Sequence, residues 1–208
     1  MYDYSFEVNI GSKKISCRAF TLEQYLNLIN AKLNKTIEPT IKQLINDCTN
    51  AKGLNKQESE LLIIHLWAHS LGEVNKETSW KCACGHETPT HINLLHSRID
   101  EPDTLEYTIR DIKLALRYPD IFDDSNVGQM IAKCTTGIYA NGEHINIDDL
   151  TDKEIDDLYS IISEDDIIAL KEMLLKPSVY LAVPIKCDHC GASHVQVIKG
   201  LREFFEII

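Results

Sequence analysis

Two short segments of nearly the same spelling constrain this chain more than anything else in it. Lys81-Cys-Ala-Cys-Gly-His86 is answered by Lys186-Cys-Asp-His-Cys-Gly191, with 102 residues between Cys84 and Cys187. A structural zinc site needs four soft or borderline ligands in a tetrahedron. Two hairpin turns that each carry a cysteine pair deliver thiolates from opposite sides at about 2.3 Å. The second segment fits that plan well, because a CxxC gap followed by Gly191 lets the turn wrap a cation with backbone amides facing the sulfurs. The first has a one-residue gap, which leaves two ligand sets open. One is Cys82, Cys84, Cys187 and Cys190; in the other His86 replaces Cys82. Reduced thiols without metal and a redox CxxC compete with zinc, and the redox reading lacks the βαβ context it needs around Cys187.

The separation of the two segments is no obstacle. Closing a loop of this length costs roughly 4 kcal/mol, against about 10–16 kcal/mol for structural zinc binding. The knuckles can therefore be the two ends of one clasp. Four cysteines would also fill the tetrahedron and leave no position for water or substrate, so such a site holds structure and does no chemistry.

Seven cysteines are an odd number, and the N-terminal MYDYSFEVNIG carries no basic segment followed by a cleavage site. A disulfide framework is therefore a poor explanation for them, and the expectation is a cytosolic, soluble chain. The remaining Cys17, Cys48 and Cys134 fall on apolar faces as small core residues. With 208 residues at 44% apolar content, the chain can bury one sizeable core or two small ones. Its formal charge of −11 argues against a phosphate-tracking surface and favours good solubility or a basic partner.

The chain opens with Tyr4–Ile10 and Ile15–Phe20 alternating around Gly11-Ser-Lys-Lys, a β-hairpin pattern. Thr21 and Gln24 form a capping box for a helix whose Leu22, Tyr25, Leu26, Ile29 and Leu33 share one face. Pro39 opens a second helix bearing Ile41, Leu44, Ile45 and Cys48, with Gly53 at its expected end. Asn55 and Glu58 cap a third, running to Gly72. It is apolar on more than one face, so it is either the centre of helical packing or partly a docking surface.

After the first knuckle, Thr90–Leu94 reads as a strand and Leu105–Tyr118 as one or two more. Val127, Met130, Ile131, Cys134 and Ile138 form a helical stripe, Asn141-Gly142 marks a tight turn, and Thr151/Glu154 and Ser163/Asp166 start two further helices. Val195, Val197 and Ile198 suggest a closing strand. The apolar tail Leu201–Ile208 must pack on its own domain or on a partner. The expected fold class is α+β, mainly helical, with short β-hairpins and a zinc-ribbon-like clasp. Its organisation reads as a hairpin plus helical region at 1–78, the clasp at 79–95 and 179–208, and a mixed strand/helix region inserted at 96–178.

Other constellations are weaker. His65 and His69 lie one helical turn apart, but HLWAH lacks the glutamate of HExxH, which favours packing histidines. The acidic residues Asp148, Asp149, Asp152, Glu154, Asp156, Asp157 and Glu164–Asp166 lack an EF-hand's glycine and spacing, and helix N-termini attract such residues anyway. No GxGxxG, GxxxxGK or GxSxG occurs, so no catalytic residue is indicated.

The order of features runs from the hairpin and CxCG through ALRYPDIF, CTTGIYANGEHINIDDLTDKEIDDLYSIIS and KPSVYLAVPIKCDHCG to a terminal LREFF. It resembles the small baseplate hub proteins of T-even-type bacteriophages, a group with a hub subunit and a related hub-assembly factor. The resemblance covers nearly the whole chain. It implies a tail-morphogenesis protein, required for the baseplate hub to form, with other hub proteins as partners and with no enzymatic activity, nucleic acid or membrane. It places the protein in the host cytoplasm during assembly, as a released chaperone or as a component kept in the virion tail. The family's cysteine pairs map onto Cys82, Cys84, Cys187 and Cys190. Two other classes share the knuckles. A zinc-ribbon adaptor would call for a basic or aromatic nucleic-acid face, and a zinc-dependent hydrolase for a vacant ligand position.

Overall fold

A computed structural model describes residues 4–72, 74–100, 105–140 and 142–207. Asn141 of the expected turn and Ile208 of the tail lie outside them. The chain divides into two compact units, Met1–Asp100 with Ser178–Ile208, and Glu101–Pro177.

The first unit opens with the hairpin β1 (Ser5–Ile10) and β2 (Lys13–Arg18), in register from Ser5↔Arg18 to Ile10↔Lys13. Three helices follow, α1 (Leu22–Leu33), α2 (Ile37–Cys48) and α3 (Lys56–Leu71). The capping boxes expected at α1 and α3 are both formed. At α3, Asn55 Oδ1 accepts from the Glu58 amide at 2.9 Å while Glu58 Oε2 accepts from the Asn55 amide at 3.0 Å, which satisfies two amides left open by helix geometry. Gly72 ends this helix at φ +70°, a conformation that only glycine adopts without strain.

α3 is the core of the unit, which removes it as a docking surface. Leu62, Ile64, Leu66 and Ala68 are fully buried, and the helix is packed by β1, β2, α2, β5 (Arg98–Ile99), β10 (Val179–Lys186) and α7 (Gly200–Ile207). The buried acid of this helix, Glu60, is matched by Lys56 at 2.9 Å and accepts from the Val179 amide at 3.4 Å. The tail packs on its own unit: α7 buries Phe204 and Leu201 and sets Phe205 against Trp67 with ring centroids 5.6 Å apart.

The early helices form where expected, but the burial of α1 and the end of α2 are set by their neighbours. α1 buries Leu28 and Ala31, and the stripe Leu22, Leu26, Ile29 and Leu33 is exposed. A 12-residue helix apolar on two sides offers two burial solutions, and packing against α2 selects the one carrying the alanine. α2 ends at Cys48, five residues before Gly53, because Thr49 turns extended and forms a bridge with Cys17.

The unit also holds the hairpin β3 (Asn75–Lys81) with β4 (Glu87–Asn93) and a three-stranded antiparallel sheet in the order β11 (Ser193–Lys199), β10, β5. β5 pairs with β10 through Ile99↔Val179 and Arg98↔Tyr180. The Asp100 amide donates to the Ser178 carbonyl at 3.1 Å, and Asp100 also pairs with Lys199 at 3.0 Å. The chain's exit into residues 101–177 and its return are therefore stapled side by side.

The second unit is a four-stranded antiparallel meander with three helices. Its strands are β6 (Glu106–Ile109), β7 (Ile112–Leu116), β8 (Thr135–Ala140) and β9 (Glu143–Asn146), hydrogen-bonded in that order. Its helices are α4 (Val127–Cys134), α5 (Asp152–Ser160) and α6 (Glu164–Leu175). They close a core that includes Leu114, Met130, Ile131, Leu158, Leu170 and Leu174. The expected helical stripe stops at Cys134; Ile138 belongs to β8, paired with Leu114 and Ile145.

A mainly helical chain is not what forms. Helix accounts for about 42% and strand for about 32% of the chain, in four small antiparallel sheets. The missed strands explain the error: β3, NKETSWK, carries a single apolar residue, and β8 continues an apolar pattern of helical spacing. Both are strands because of the backbone partner they meet, which apolar periodicity does not register.

Candidate metal centre

The four knuckle sulfurs come together at the ends of two hairpins. The β3–β4 ladder runs up to Lys81↔Glu87, and the next amide, Cys82, donates to the His86 carbonyl at 2.9 Å, after which Gly85 N–H returns to the Cys82 carbonyl at 2.9 Å. The β10–β11 ladder ends at Lys186↔Ser193 in the same way. Cys187 N–H donates to the Ala192 carbonyl at 2.8 Å, and Gly191 N–H to the Cys187 carbonyl at 2.9 Å. In both turns the glycine after the second cysteine has positive φ, +86° at Gly85 and +73° at Gly191, which lets the backbone fold back beneath the sulfurs.

Each cysteine of one hairpin faces one of the other. Cys82 Sγ lies 3.6 Å from Cys190 Sγ and Cys84 Sγ lies 3.7 Å from Cys187 Sγ, and all four sulfurs lie within 4.8 Å of one another. None is in a disulfide. A tetrahedron with bonds of about 2.3 Å has edges of about 3.8 Å, so the cross-hairpin distances suit a cation at the centre. Cys82 and Cys187 are buried, and Cys84 and Cys190 are at the surface. Two ring stacks flank the cluster, Trp80 on His194 with centroids 5.1 Å apart and His86 on His189 at 5.5 Å. The group of four holds only cysteines, and the His86 ring lies against His189.

The electrostatics show what four crowded thiols demand. Backbone amides, that of Cys190 first and that of His189 after it, pull the Cys187 thiol down to about 6 against the effect of burial. At Cys82 the Cys84 amide also favours the thiolate, but burial and the contacts with Cys190, Cys84 and Cys187 push it up to about 12. One thiolate is thus easily formed while a second is resisted by its neighbours. A divalent cation removes that resistance by neutralising the charges together.

The other candidates do not form sites. Cys17, Cys48 and Cys134 are buried, Cys17 near Cys48 and both apart from the knuckles, and burial pushes Cys17 and Cys134 up to about 11, which makes them inert core thiols. His69 stacks on Phe6 at 4.2 Å and meets the Tyr4 hydroxyl at 3.3 Å, with His65 6.4 Å away. Glu154 and Asp166 of the acidic run complete capping boxes with Thr151 and Ser163, and those hydrogen bonds lower both carboxyls. Sequence reasoning missed the ring stacks. Trp80 and His194 each sit within a few residues of a knuckle, but their pairing depends on which hairpin faces which.

A family model described as "T4 bacteriophage base plate protein" matches residues 1–206. A protein of Enterobacteria phage T4 described as "baseplate hub assembly protein gp26" is 64% identical over 208 residues, the whole of both chains. No solved structure matches.

Proposed function

The chain belongs to the T4 bacteriophage base plate protein family, and from that premise we propose that it is a hub-assembly protein of a phage tail baseplate. It works by binding other hub proteins and uses one structural zinc, held by Cys82, Cys84, Cys187 and Cys190, to lock its two-hairpin clasp. The identity of 64% across the full length of both chains is the observation that carries the functional reading. Identity of that extent over the full length implies the same fold.

The zinc reading rests on the four sulfurs within 4.8 Å, whose crowding opposes the formation of several thiolates until a cation neutralises them. Bound there, zinc supplies no chemistry, since four thiolates leave it no open position. Its role is mechanical. The β3–β4 and β10–β11 hairpins share no backbone ladder, so the metal joins them at their tips, and the Trp80–His194 stack supports the joint. The protein acts as a binding component and not as an enzyme, in the host cytoplasm while baseplates assemble, with the tail baseplate as the destination of its partners. An acidic chain without a long apolar helix among its described residues fits protein partners better than nucleic acid or lipid.

Two measurements test this. Cells infected with phage lacking the gene should accumulate incomplete baseplates, and a plasmid copy should restore them; complete hubs without the protein would overturn the assembly role. Protein purified in reducing buffer without chelator should contain one zinc per chain. A folded protein with less than about 0.2 zinc per chain overturns the metal centre.

A further inference from the structure

The formal charge of the chain is not spread over it. Residues 101–177 hold 18 of the 32 acidic residues but 7 of the 21 basic ones, so this unit carries −11, the whole net charge, while the rest is balanced at 14 of each sign. Within the same unit the three helices leave an apolar groove of about 180 Å³, lined by Gly128, Ile131 and Ala132 of α4, Tyr159 and Ile162 from α5 and its end, and Ile167 of α6. Ile167, in the lining, is 37% exposed, and Ile168, the next residue of α6, is 52% exposed, so the unit's own core covers neither side chain. Exposed acids stand one helical turn before the apolar residues. Asp156 precedes Tyr159 on α5, and Glu164 and Asp165 precede Ile167 and Ile168 on α6.

We propose that this groove is the docking site for an amphipathic helix of a hub protein, whose apolar ridge enters between α4, α5 and α6 and whose flanking lysines and arginines meet the acidic rim. The proposal rests on the hub-assembly reading and names the partner's chemistry. Apolar grooves of this kind take helices through anchors at i, i+3 or i+4, and i+7. Charge of one sign concentrated on one unit steers a basic partner and rejects an acidic one. A second copy of this chain is a poor occupant, because its own groove-bearing unit is equally acidic and like charges would face each other.

The test is site-specific photo-crosslinking in infected cells, with a photoreactive phenylalanine analogue at position 168 of the full chain and, separately, at position 26 on the exposed stripe of α1. The expected result is a cross-link from 168 to a hub protein, through a segment of net positive charge with apolar residues at helical spacing. Ile167→Ser, in the groove lining, should reduce capture of that protein at least about 10-fold with thermal unfolding unchanged. Neutralising the rim as Asp156→Asn, Glu164→Gln and Asp165→Asn should weaken capture at low salt and flatten its salt dependence. A cross-link from 168 to an acidic segment or to a second copy of this chain overturns the proposal. So does the lack of one in cells whose baseplates require the protein. Cross-links to hub proteins from position 26 alone would sink the groove and leave the hub-assembly function standing, whereas complete baseplates in the absence of the protein would sink both.

Discussion

Phe204→Ala decides whether the C-terminal helix is structure or a docking tail. Phe204 is fully buried, its neighbour Leu201 nearly so, and Phe205 lies on Trp67 of α3. An aromatic side chain covers roughly 150–250 Å², and at about 25 cal/mol/Å² its complete burial is worth roughly 4–6 kcal/mol. The alanine methyl keeps part of that, while the cavity left against α3 adds a cost, so the expected loss is about 3–5 kcal/mol. For a chain of this size that corresponds to a fall of roughly 6–20 °C in melting temperature. Thermal denaturation in the presence of zinc gives the shift, and amide exchange in α3 and α7 shows whether the loss falls in the first unit. Phe205→Ala, at a half-buried ring, should cost less, about 1–2 kcal/mol, and should change Trp67 fluorescence. Truncation after Gly200 should lower stability and solubility together. A Phe204→Ala protein within about 1 kcal/mol of the wild type would show that α7 is not part of the core.

Further outcomes follow from other parts of the molecule. Cys82→Ser and Cys187→Ser should each release zinc and leave a cobalt-substituted sample without full thiolate charge-transfer absorption, while His86→Ala should retain the metal; release by His86→Ala with retention by Cys82→Ser would place the histidine in the ligand set and remove Cys82. Burial, and after it the charge on His69, holds His65 down to about 4, below its ordinary 6.5, so the unfolded chain takes up a proton that the folded one refuses. The associated stability is complete above pH 6.5 and is lost as the pH falls toward 4, by roughly 3 kcal/mol at most; His65→Gln should flatten the pH dependence of urea-unfolding stability across that window, and an unchanged slope would refute the assignment. Gly137→Ala would set a methyl 2.4 Å from the Ile145 carbonyl and 2.8 Å from His144 Nε2. It should cost at least about 1–3 kcal/mol and raise amide exchange in β8 and β9, and a neutral effect would mean that those strands are not paired as described.

The sequence by itself determined what is local. Four capping boxes, at Thr21, Asn55, Thr151 and Ser163, form where the side-chain spacing places them, because a cap involves residues only three apart. The two knuckles are legible for the same reason: each turn, with its glycine, is complete within six residues. That the two knuckles share one site was suggested by ligand arithmetic, since a pair of thiols is half of a tetrahedron, but that Cys82 faces Cys190 and Cys84 faces Cys187 is decided by the way the hairpins meet. Tertiary structure alone decided which face of α1 is inward, because Leu22, Leu26, Ile29 and Leu33 were as eligible as Leu28 and Ala31 until α2 supplied a surface that admits a close, small-residue contact. It also decided that β3 and β8 are strands, since a strand is stabilised by the backbone it pairs with and that partner is set by the path of the whole chain. The groove on residues 101–177 belongs to the same class. Its acidic residues are plain in the sequence, but only the packing of α4, α5 and α6 leaves Ile167 and Ile168 uncovered beside them.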